Sequence, residues 1–154
     1  MDCRIRIAVQ EQDFSLEAEG RVLQALPNVG ALVSFSGLVR EDHEGQKIDA
    51  LFLEHYAGMT ERSLEAIARE AASRWPLHAI TIIHRIGTLR PGEQIVFVGV
   101  SSAHRAAAFS ACDFLMDYLK TRAPFWKKCL LAGQSFWVEA KDSDTDAAER
   151  WRQD

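Results

Sequence analysis

The sequence has few cysteines, and they form no motif. Cys3, Cys112 and Cys129 are odd in number and scattered, without a CxxC pair. This pattern excludes a disulfide framework and a CxxC-type structural zinc site, and it favours free thiols in a reducing cytosol. Glycine-rich phosphate loops, HExxH and GxSxG are also absent from the sequence. We therefore expect neither a metal ion nor another cofactor.

Long hydrophobic runs are absent as well. No apolar segment approaches the roughly 20 residues that span a bilayer, and the N-terminal residues lack the apolar core and small-residue cleavage pattern of a secretory signal. We therefore expect a cytoplasmic protein without a membrane contact. With 154 residues, 47% hydrophobic and 26% charged, the chain is predicted to fold as one domain covering residues 1–154.

Positive charge is scarce overall but concentrated in one place. The formal net charge is -4 and the pI is about 5.7, so a general nucleic-acid-binding surface is not expected. Segment 116–128, MDYLKTRAPFWKK, instead carries a local charge of +4 - 1 = +3, which leaves -7 for the rest. Its charged residues are Lys120, Arg122, Lys127 and Lys128 against the single Asp117. A positive segment on an acidic protein predicts a site for an anion.

The hydrophobic pattern predicts an α+β domain with a mostly antiparallel sheet. The predicted strands are Ala31 to Val39, Asp49 to Tyr56, Ala79 to Ile86, Gln94 to Ser101 and Ser135 to Ala140. Residues 41–46 between the first two are predicted to be a turn or a flexible loop, and the two strands would pair antiparallel if this loop closes a hairpin. One helix is capped by Thr60 and runs to about Arg74, and a second is capped by Ser101 or Ser102 and ends before Pro124. The acidic tail from about Asp142 is predicted to be partly mobile.

Lys120 and Lys127 are the first candidates for chemistry. A lysine binds phosphate or carboxylate as a point charge, and it is a nucleophile only when neutral. Because an ordinary lysine, with a pKa near ~10.4, is only about 0.04% neutral at pH 7, we expect charge stabilisation and proton donation. The alternative is that both lysines only solvate a helix end, where cations favour the helix dipole.

His104, Arg105 and Arg40 are further candidates for anion binding. With Ser102 as the N-cap, His104 and Arg105 would be the second and third helical residues, next to N–H groups without intrahelical partners. An ordinary capped helix with solvated side chains is the alternative. Arg40 ends the first predicted strand, after Gly37, where it would offer a bidentate contact to a phosphate or serve as a surface charge.

Two histidines and one cysteine could have either a structural or a chemical role. His55 and His84 lie in predicted strands without a ligand partner at i+2 or i+4, so we expect structural histidines rather than metal ligands. Cys129 follows two lysines, which would lower its pKa and make it reactive. An inert thiol is the alternative for Cys129, and it is the commoner outcome.

Five sequence blocks stand in the order and spacing of a known family. They are FSGLVR (35–40), LEHYAGMTE (53–61), IIHRIGTLRPGE (82–93), VGVSSAHRAAAF (98–109) and MDYLKTRAPFWKK (116–128). These blocks resemble the large, catalytic subunit of molybdopterin synthase, and the likeness extends from about Val29 to Trp151. The combination of SAHR with LKTRAPFWKK is the most specific part of the resemblance.

The resemblance implies an α/β hammerhead fold and a sulfurtransferase of molybdenum cofactor synthesis. Members of the family take sulfur from the C-terminal Gly-Gly thiocarboxylate of a small ubiquitin-like subunit. They install two sulfurs on cyclic pyranopterin monophosphate, which forms the dithiolene of molybdopterin and opens the cyclic phosphate. The implied assembly is a homodimer with one small subunit at each outer end, a heterotetramer without nucleic acid or membrane partners.

The resemblance also implies roles for individual residues. Lys120 and Lys127 match the essential lysines of the family. The implied substrate-binding set is Arg40, His104, Arg105, Lys120, Lys127 and Lys128. In the family, the histidine–arginine pair enters the active site from the other protomer of the dimer.

The chain departs from the family at three positions. Cys129 replaces the usual glutamate, Leu38 replaces a common lysine and Lys141 replaces a frequent arginine, so the role of the glutamate does not transfer to Cys129. The alternative function is a noncatalytic dimeric module that binds a phosphorylated metabolite or a protein tail in the same basic pocket.

Overall fold

A computed structural model describes residues 2–138 and 142–152, and for residues 142 and 143 it describes the backbone only. The strands within these ranges are β1 Arg4–Gln10, β2 Ala31–Leu38, β3 Asp42–His43, β4 Gln46–Lys47, β5 Ala50–His55, β6 Leu77–Arg85, β7 Gly87–Leu89, β8 Gln94–Ser102, β9 Phe125–Leu131 and β10 Gln134–Val138. The helices are α1 Leu16–Gln24, α2 Met59–Arg74, α3 Arg105–Arg122 and α4 Asp142–Glu149.

The strands form two four-stranded sheets and a short hairpin. The first sheet has the order β1-β6-β8-β2 and the second the order β10-β9-β5-β7, while β3 and β4 pair with each other. Every pairing is antiparallel except β1 with β6, which is parallel. The prediction of an α+β fold with mostly antiparallel sheet is confirmed.

Helices cover both faces of the first sheet. On one face, Leu64 of α2 and Leu115 of α3 pack against Ile82 and Val98 in the main core. On the other face, Leu23 of α1 packs in a cluster with strand residues of β6 and β8. Because side chains alternate along a strand, residues 80, 82 and 84 of β6 all face α2 and α3. The last of these, His84, therefore lies at the margin of the main core.

The first strand and helix were not predicted from the sequence. Arg4–Gln10 alternates arginine and isoleucine before its apolar end, and it pairs in register with β6 along its whole length. Ser15 caps α1, and its Oγ accepts a hydrogen bond from the Ala18 N–H at 3.1 Å. The period-two alternation is a signal of a half-buried strand, and the serine is a helix-start signal.

Residues 31–39 and 49–56 do not pair with each other as a hairpin. β2 pairs with β8 in the first sheet, whereas β5 pairs with β7 and β9 in the second. The chain between them forms the β3–β4 hairpin, whose two loop residues have φ of 50° at Glu44 and 80° at Gly45. Two positive φ values are typical of a type I′ turn, which closes a short hairpin. The polar segment thus carries the chain from one sheet to the other.

Both predicted helix caps are wrong. Ser101 and Ser102 are buried residues of β8, paired with Leu32 and Ala31 of β2, so the strand continues where a cap was expected. The N-cap of α3 is His104, which makes Arg105 the first helical residue.

The cap of α2 is Gly58, and Thr60 lies inside this helix. The ends of both helices agree with prediction, because α2 ends at Arg74 and α3 at Arg122, just before Pro124.

The C-terminal segment contains a helix against α3. The Trp151 indole N–H donates to Asp117 Oδ2 at 2.6 Å, and Arg150 bridges Asp117 and Asp113. The partial mobility of the tail stays a prediction. The predicted last strand corresponds to β10 up to Val138, and its final residues, 139 and 140, lie outside the described part. No helix in the described ranges is long and apolar enough to cross a membrane.

Candidate active site

The positive segment 116–128 is divided between different environments. Arg122 lies over the Tyr118 ring, with its guanidinium carbon 3.7 Å from the ring centroid, and its Nη1 is 3.6 Å from Glu70 Oε1. A cation over an aromatic face and beside a carboxylate is stabilised where it is. The Arg122 charge thus joins α3 to α2 and is separate from the lysines.

Lys128 lies on the opposite face of β9 from Lys127, because adjacent strand residues point to opposite faces. Its Nζ is 4.4 Å from the Trp137 ring centroid and 5.9 Å from the Phe52 ring centroid, and both rings belong to its cross-strand partners. The structure therefore places Lys128 among aromatic rings and does not bring it together with Lys127.

The charges of Lys120 and Lys127 both act on His84. The His84 ring is only 6% exposed, and burial is the largest cause that lowers its pKa from 6.5 to about 4. A hydrogen bond with the Arg85 carbonyl opposes this shift, and the charges of Lys120, Lys127 and His55 add to it. His84 is therefore neutral at pH 7, with two lysines from different elements as its charged neighbours.

The protonation and orientation of the His84 ring are determined by two contacts. Nδ1 lies 2.8 Å from the backbone carbonyl oxygen of Arg85. Because a carbonyl only accepts, Nδ1 carries the proton and Nε2 keeps a lone pair. The ring stacks on Phe125 with a centroid distance of 3.8 Å and an interplanar angle of 18°. Phe125 also pairs with His55 of β5, so β9 joins both histidines.

Thr60 of α2 attaches the segment between Lys120 and Lys127 to the rest of the domain. Its hydroxyl donates to the Pro124 carbonyl oxygen at 2.9 Å and accepts from the Tyr56 N–H at 3.0 Å. Thr60 is fully buried. The turn between α3 and β9 is therefore attached to the turn between β5 and α2.

Arg40 lies at the same end of the first sheet as His84. β2 and β6 flank β8, where Gly37 and His84 both pair with Val96. Arg40 follows three residues after Gly37, beyond the end of β2, and is exposed. Helix α3 starts beyond the opposite end of β8 and returns over the sheet, which brings Lys120 to the end where Arg40 and His84 lie.

His104 and Arg105 lie at the opposite end of α3. Lys120 is 15 positions after Arg105 in this helix, which corresponds to about 22 Å at a rise of 1.5 Å per residue. Both side chains are exposed, and that of His104 makes no capping hydrogen bond. Within one chain, His104 and Arg105 therefore do not share a pocket with Lys120.

Cys129 does not have the environment of a reactive thiol. It is completely buried in a cluster with Val39, Leu51 and Leu89. Burial raises the pKa of the Cys129 thiol more than the Lys127 charge lowers it. The interpretation of Cys129 as a reactive thiol is therefore wrong, because the nucleophilic form is the thiolate.

The part that His84 plays in this arrangement was not predicted from the sequence. The signal was a titratable residue in the apolar strand ITIIHRIG, on the same face as Ile80 and Ile82. Among residues 2–138 and 142–152, no group of three or more His, Cys, Asp or Glu side chains is placed to hold a metal ion. Lys141, one of the departures from the family, lies outside the described residues.

Comparisons with known proteins agree with one another. The family model described as MoaE protein matches residues 9–122. The molybdopterin synthase catalytic subunit of Vibrio cholerae is 54% identical over 146 residues, which cover 95% of this chain and 97% of that protein. The Escherichia coli K12 protein of the same name is 53% identical, with the same coverage of 95% and 97%.

A solved structure shows the same fold. Molybdopterin cofactor biosynthesis protein E from Burkholderia multivorans superposes with a TM-score of 0.82 at 47% identity, over 96% of this chain and 97% of that one. The chain belongs to the MoaE family, the catalytic subunits of molybdopterin synthase, which are enzymes of molybdenum cofactor biosynthesis.

Proposed function

We propose that this protein transfers sulfur from the C-terminal thiocarboxylate of a small ubiquitin-like partner to cyclic pyranopterin monophosphate. Membership in the MoaE family supports the reaction. The single observation that supports its location is that the charges of Lys120 and Lys127 both act on the buried His84, which stacks on Phe125 in the segment between the two lysines. The Vibrio cholerae relative is named a catalytic subunit, which supports a separate partner as the sulfur donor.

The charges of the two reactants explain why a pair of lysines is needed. The pterin carries a phosphate and the donor carries a thiocarboxylate, so two anions must approach each other. Two unit charges 4 Å apart repel by about 4 kcal/mol at an effective dielectric constant near 20. Lys120 and Lys127 offset this repulsion, and Arg40 at the same end of the sheet adds a bidentate donor for phosphate.

The two lysines differ in exposure, which supports different roles. Lys120 is exposed at the end of α3, whereas Lys127 is half-buried within β9. Lys120 is accessible to a flexible protein tail, where its ammonium group stabilises negative charge at the thiocarboxylate carbonyl and donates a proton. Lys127 orients the pterin substrate. Lys128 contributes to the neighbouring aromatic surface instead of this pair.

A dimer completes the site in this proposal. His104 and Arg105 are about 22 Å from Lys120 along α3, and both are exposed. They would therefore bind the substrate in the site of the other protomer, as the resemblance to the family implies. The full assembly is a heterotetramer with two small subunits. We place it in the cytoplasm, where the thiols of Cys3, Cys112 and Cys129 stay free.

Reconstitution tests the proposed function. The protein is mixed with thiocarboxylated small subunit and cyclic pyranopterin monophosphate, and molybdopterin is measured after oxidation to its fluorescent derivative. We expect product from the wild type and a loss of at least about 100-fold in Lys120→Ala with the fold intact. Arg122→Ala is the matched control, because it removes a cation from the same segment, and its turnover should stay within about threefold.

Two outcomes would contradict the proposal. If the wild type binds the pterin or the partner but forms no product, the protein is a noncatalytic binding module. If Lys120→Ala turns over at a rate close to the wild type, Lys120 is not a catalytic residue.

A further inference from the structure

His84 is a buried titratable group to which the proposed reaction assigns no role. Its ring is 6% exposed and lies at the end of β6, on the face covered by α2 and α3. Both proposed catalytic lysines are among its charged neighbours. A buried polar ring at this position needs a physical explanation, because burying an imidazole is unfavourable unless its polar atoms have partners.

The contacts of His84 lead to the segment that joins the two lysines. Six residues, 121–126, separate Lys120 from Lys127. His84 stacks on Phe125 within this segment at a centroid distance of 3.8 Å. Phe125 and Lys127 are two residues apart in β9, so their side chains lie on the same face of the strand. A shift of the Phe125 ring therefore also moves the backbone that carries Lys127.

The chemistry of the ring excludes a role as a proton donor at neutral pH. The Nδ1 proton is bonded to the Arg85 carbonyl oxygen at 2.8 Å. Burial, with the charges of Lys120, Lys127 and His55 as additional causes, lowers the His84 pKa to about 4. The ring thus adds no third positive charge to the lysine pair.

We propose that His84 is a positioning residue whose neutral ring, through its stack on Phe125, sets the place of Lys127 relative to Lys120. This inference rests on the proposed function, in which the two lysines form the charged centre of the reaction. It requires the flat shape and the neutrality of the ring, and the stack on Phe125 is expected to orient a ring that lacks the Nδ1 proton. A phenyl ring at position 84 therefore serves the same purpose, and an aliphatic side chain does not.

Four variants test the inference in the complete reaction with the thiocarboxylated partner. They are His84→Phe, His84→Leu, Phe125→Leu and the double variant His84→Leu/Phe125→Leu. We expect kcat to fall about 100-fold in each leucine variant, since a displacement near 1 Å has an effect of this size. KM for the pterin should change less than about threefold, because the ring acts on the geometry of the transition state.

Two results distinguish positioning from a merely structural role. They are the retention of kcat in His84→Phe and the non-additive loss of kcat in the double variant. His84→Phe should keep kcat within about threefold of the wild type and keep its pH profile, since a phenyl ring neither binds nor releases a proton. The double variant should be no slower than either single leucine variant, because both changes remove one contact. Additive losses in the double variant, or a His84→Phe enzyme as slow as His84→Leu, would overturn the inference.

Controls separate positioning from stability. Phe97→Leu also truncates a buried ring, on the face of the first sheet that α1 covers, so it should lower the melting temperature without changing kcat. If His84→Leu does not fold, the inference is tested by the two other single variants. It then requires that kcat falls in Phe125→Leu and is retained in His84→Phe. A normal turnover of Lys120→Ala defeats the proposed function, whereas an inactive Lys120→Ala with a normal His84→Leu defeats this inference alone.

Discussion

The two ends of helix α3 differ in how much of their surroundings the chain itself supplies. At the C-terminal end, the charge of Lys120 acts on the buried His84, and the following turn is held by Thr60 and Phe125. At the N-terminal end, His104 and Arg105 are exposed, and His104 makes no capping hydrogen bond. One end is held by contacts within the chain, and the other leaves its charged side chains exposed.

This difference has an energetic meaning. Groups that are already held in place need little reorganisation when charge develops near them, which is the basis of electrostatic catalysis. Exposed long side chains lose about 0.5–1.5 kcal/mol of rotamer entropy each when an interface orders them. We therefore expect the C-terminal end to determine the rate of the chemical step and the N-terminal end to depend on assembly.

Mixing of inactive variants tests the comparison most directly, and it has the largest expected effect. Lys120→Ala and Arg105→Ala dimers should each lose at least about 100-fold in turnover. After subunit exchange, about half of the dimers are mixed, and each mixed dimer has one intact site of two. About one quarter of the wild-type turnover should therefore return.

Subunit exchange is verified by native mass spectrometry of the same mixture. The control is the double variant Lys120→Ala/Arg105→Ala mixed with the wild type. Its mixed dimers contain no intact site if each site is shared between two protomers. No recovery in the first mixture would show that both ends of α3 act within one protomer.

The pH dependence of stability sharpens the comparison at the C-terminal end. The pKa of His84 is about 4 in the folded protein against 6.5 in the unfolded chain. The unfolded state therefore binds more protons in this window, and stability is lost as the pH falls from 6.5 towards 4. A shift of this size corresponds to about 3 kcal/mol of unfolding free energy. Urea unfolding at several pH values measures the loss.

His84→Phe is the matched variant for this measurement, because a phenyl ring keeps the stack and cannot bind a proton. Its unfolding free energy should fall less than that of the wild type between about pH 7 and about pH 4.5. Equal slopes for the two proteins over this range would show that His84 is not the group that takes up the proton.

Thr60→Val has the smallest expected effect at this end. Valine keeps the shape of threonine but removes the hydroxyl that donates to the Pro124 carbonyl oxygen at 2.9 Å. Leaving buried polar partners unsatisfied costs about 1–3 kcal/mol of stability. We also expect roughly a tenfold loss of kcat, because the Pro124 turn joins the two lysines. Thermal unfolding and the molybdopterin assay measure the two effects.

Thr121→Val is the control for Thr60→Val. Thr121 is an exposed threonine near the same turn, and its hydroxyl donates to the Asp117 carbonyl oxygen at 3.1 Å within α3. Its replacement should change neither quantity by more than about half a kcal/mol or its equivalent in rate. An equal response of the two valine variants would mean that the Thr60 bond to Pro124 has no special effect on the lysines.

Lys120 and Lys127 could be singled out from the sequence by their positive charge on an acidic chain. The side chains that surround them could not be predicted. Lys120 and Lys127 stand out because the rest of the chain is acidic, and Pro124 correctly predicted the end of α3. The separation of Arg122 and Lys128 from the pair depends on rings at Tyr118 and Trp137. Local sequence does not show which rings approach which cations in the folded chain.

The errors have a common physical origin. Serine is suited to an N-cap as well as to the end of a strand. Ser102 belongs to the strand because it pairs with Ala31 of β2. Thr60 was expected to satisfy its own helix, but its hydroxyl bonds to Pro124 instead. His84 was expected to be a structural histidine, which agrees with its burial, but its stacking partner Phe125 was not foreseen because it is far away in sequence. Each outcome depends on contacts between distant segments.

The bond between Thr60 and Pro124 also has a consequence for folding. It joins residues 64 positions apart, and the turn it fixes lies between the two lysines. Contacts between distant parts of a chain form late, because the entropy of closing the intervening loop must be overcome first. The lysine pair is therefore expected to assemble only when the whole domain has folded. A nascent chain that ends before residue 124 has all of α3 but lacks both Lys127 and the Pro124 carbonyl that Thr60 binds.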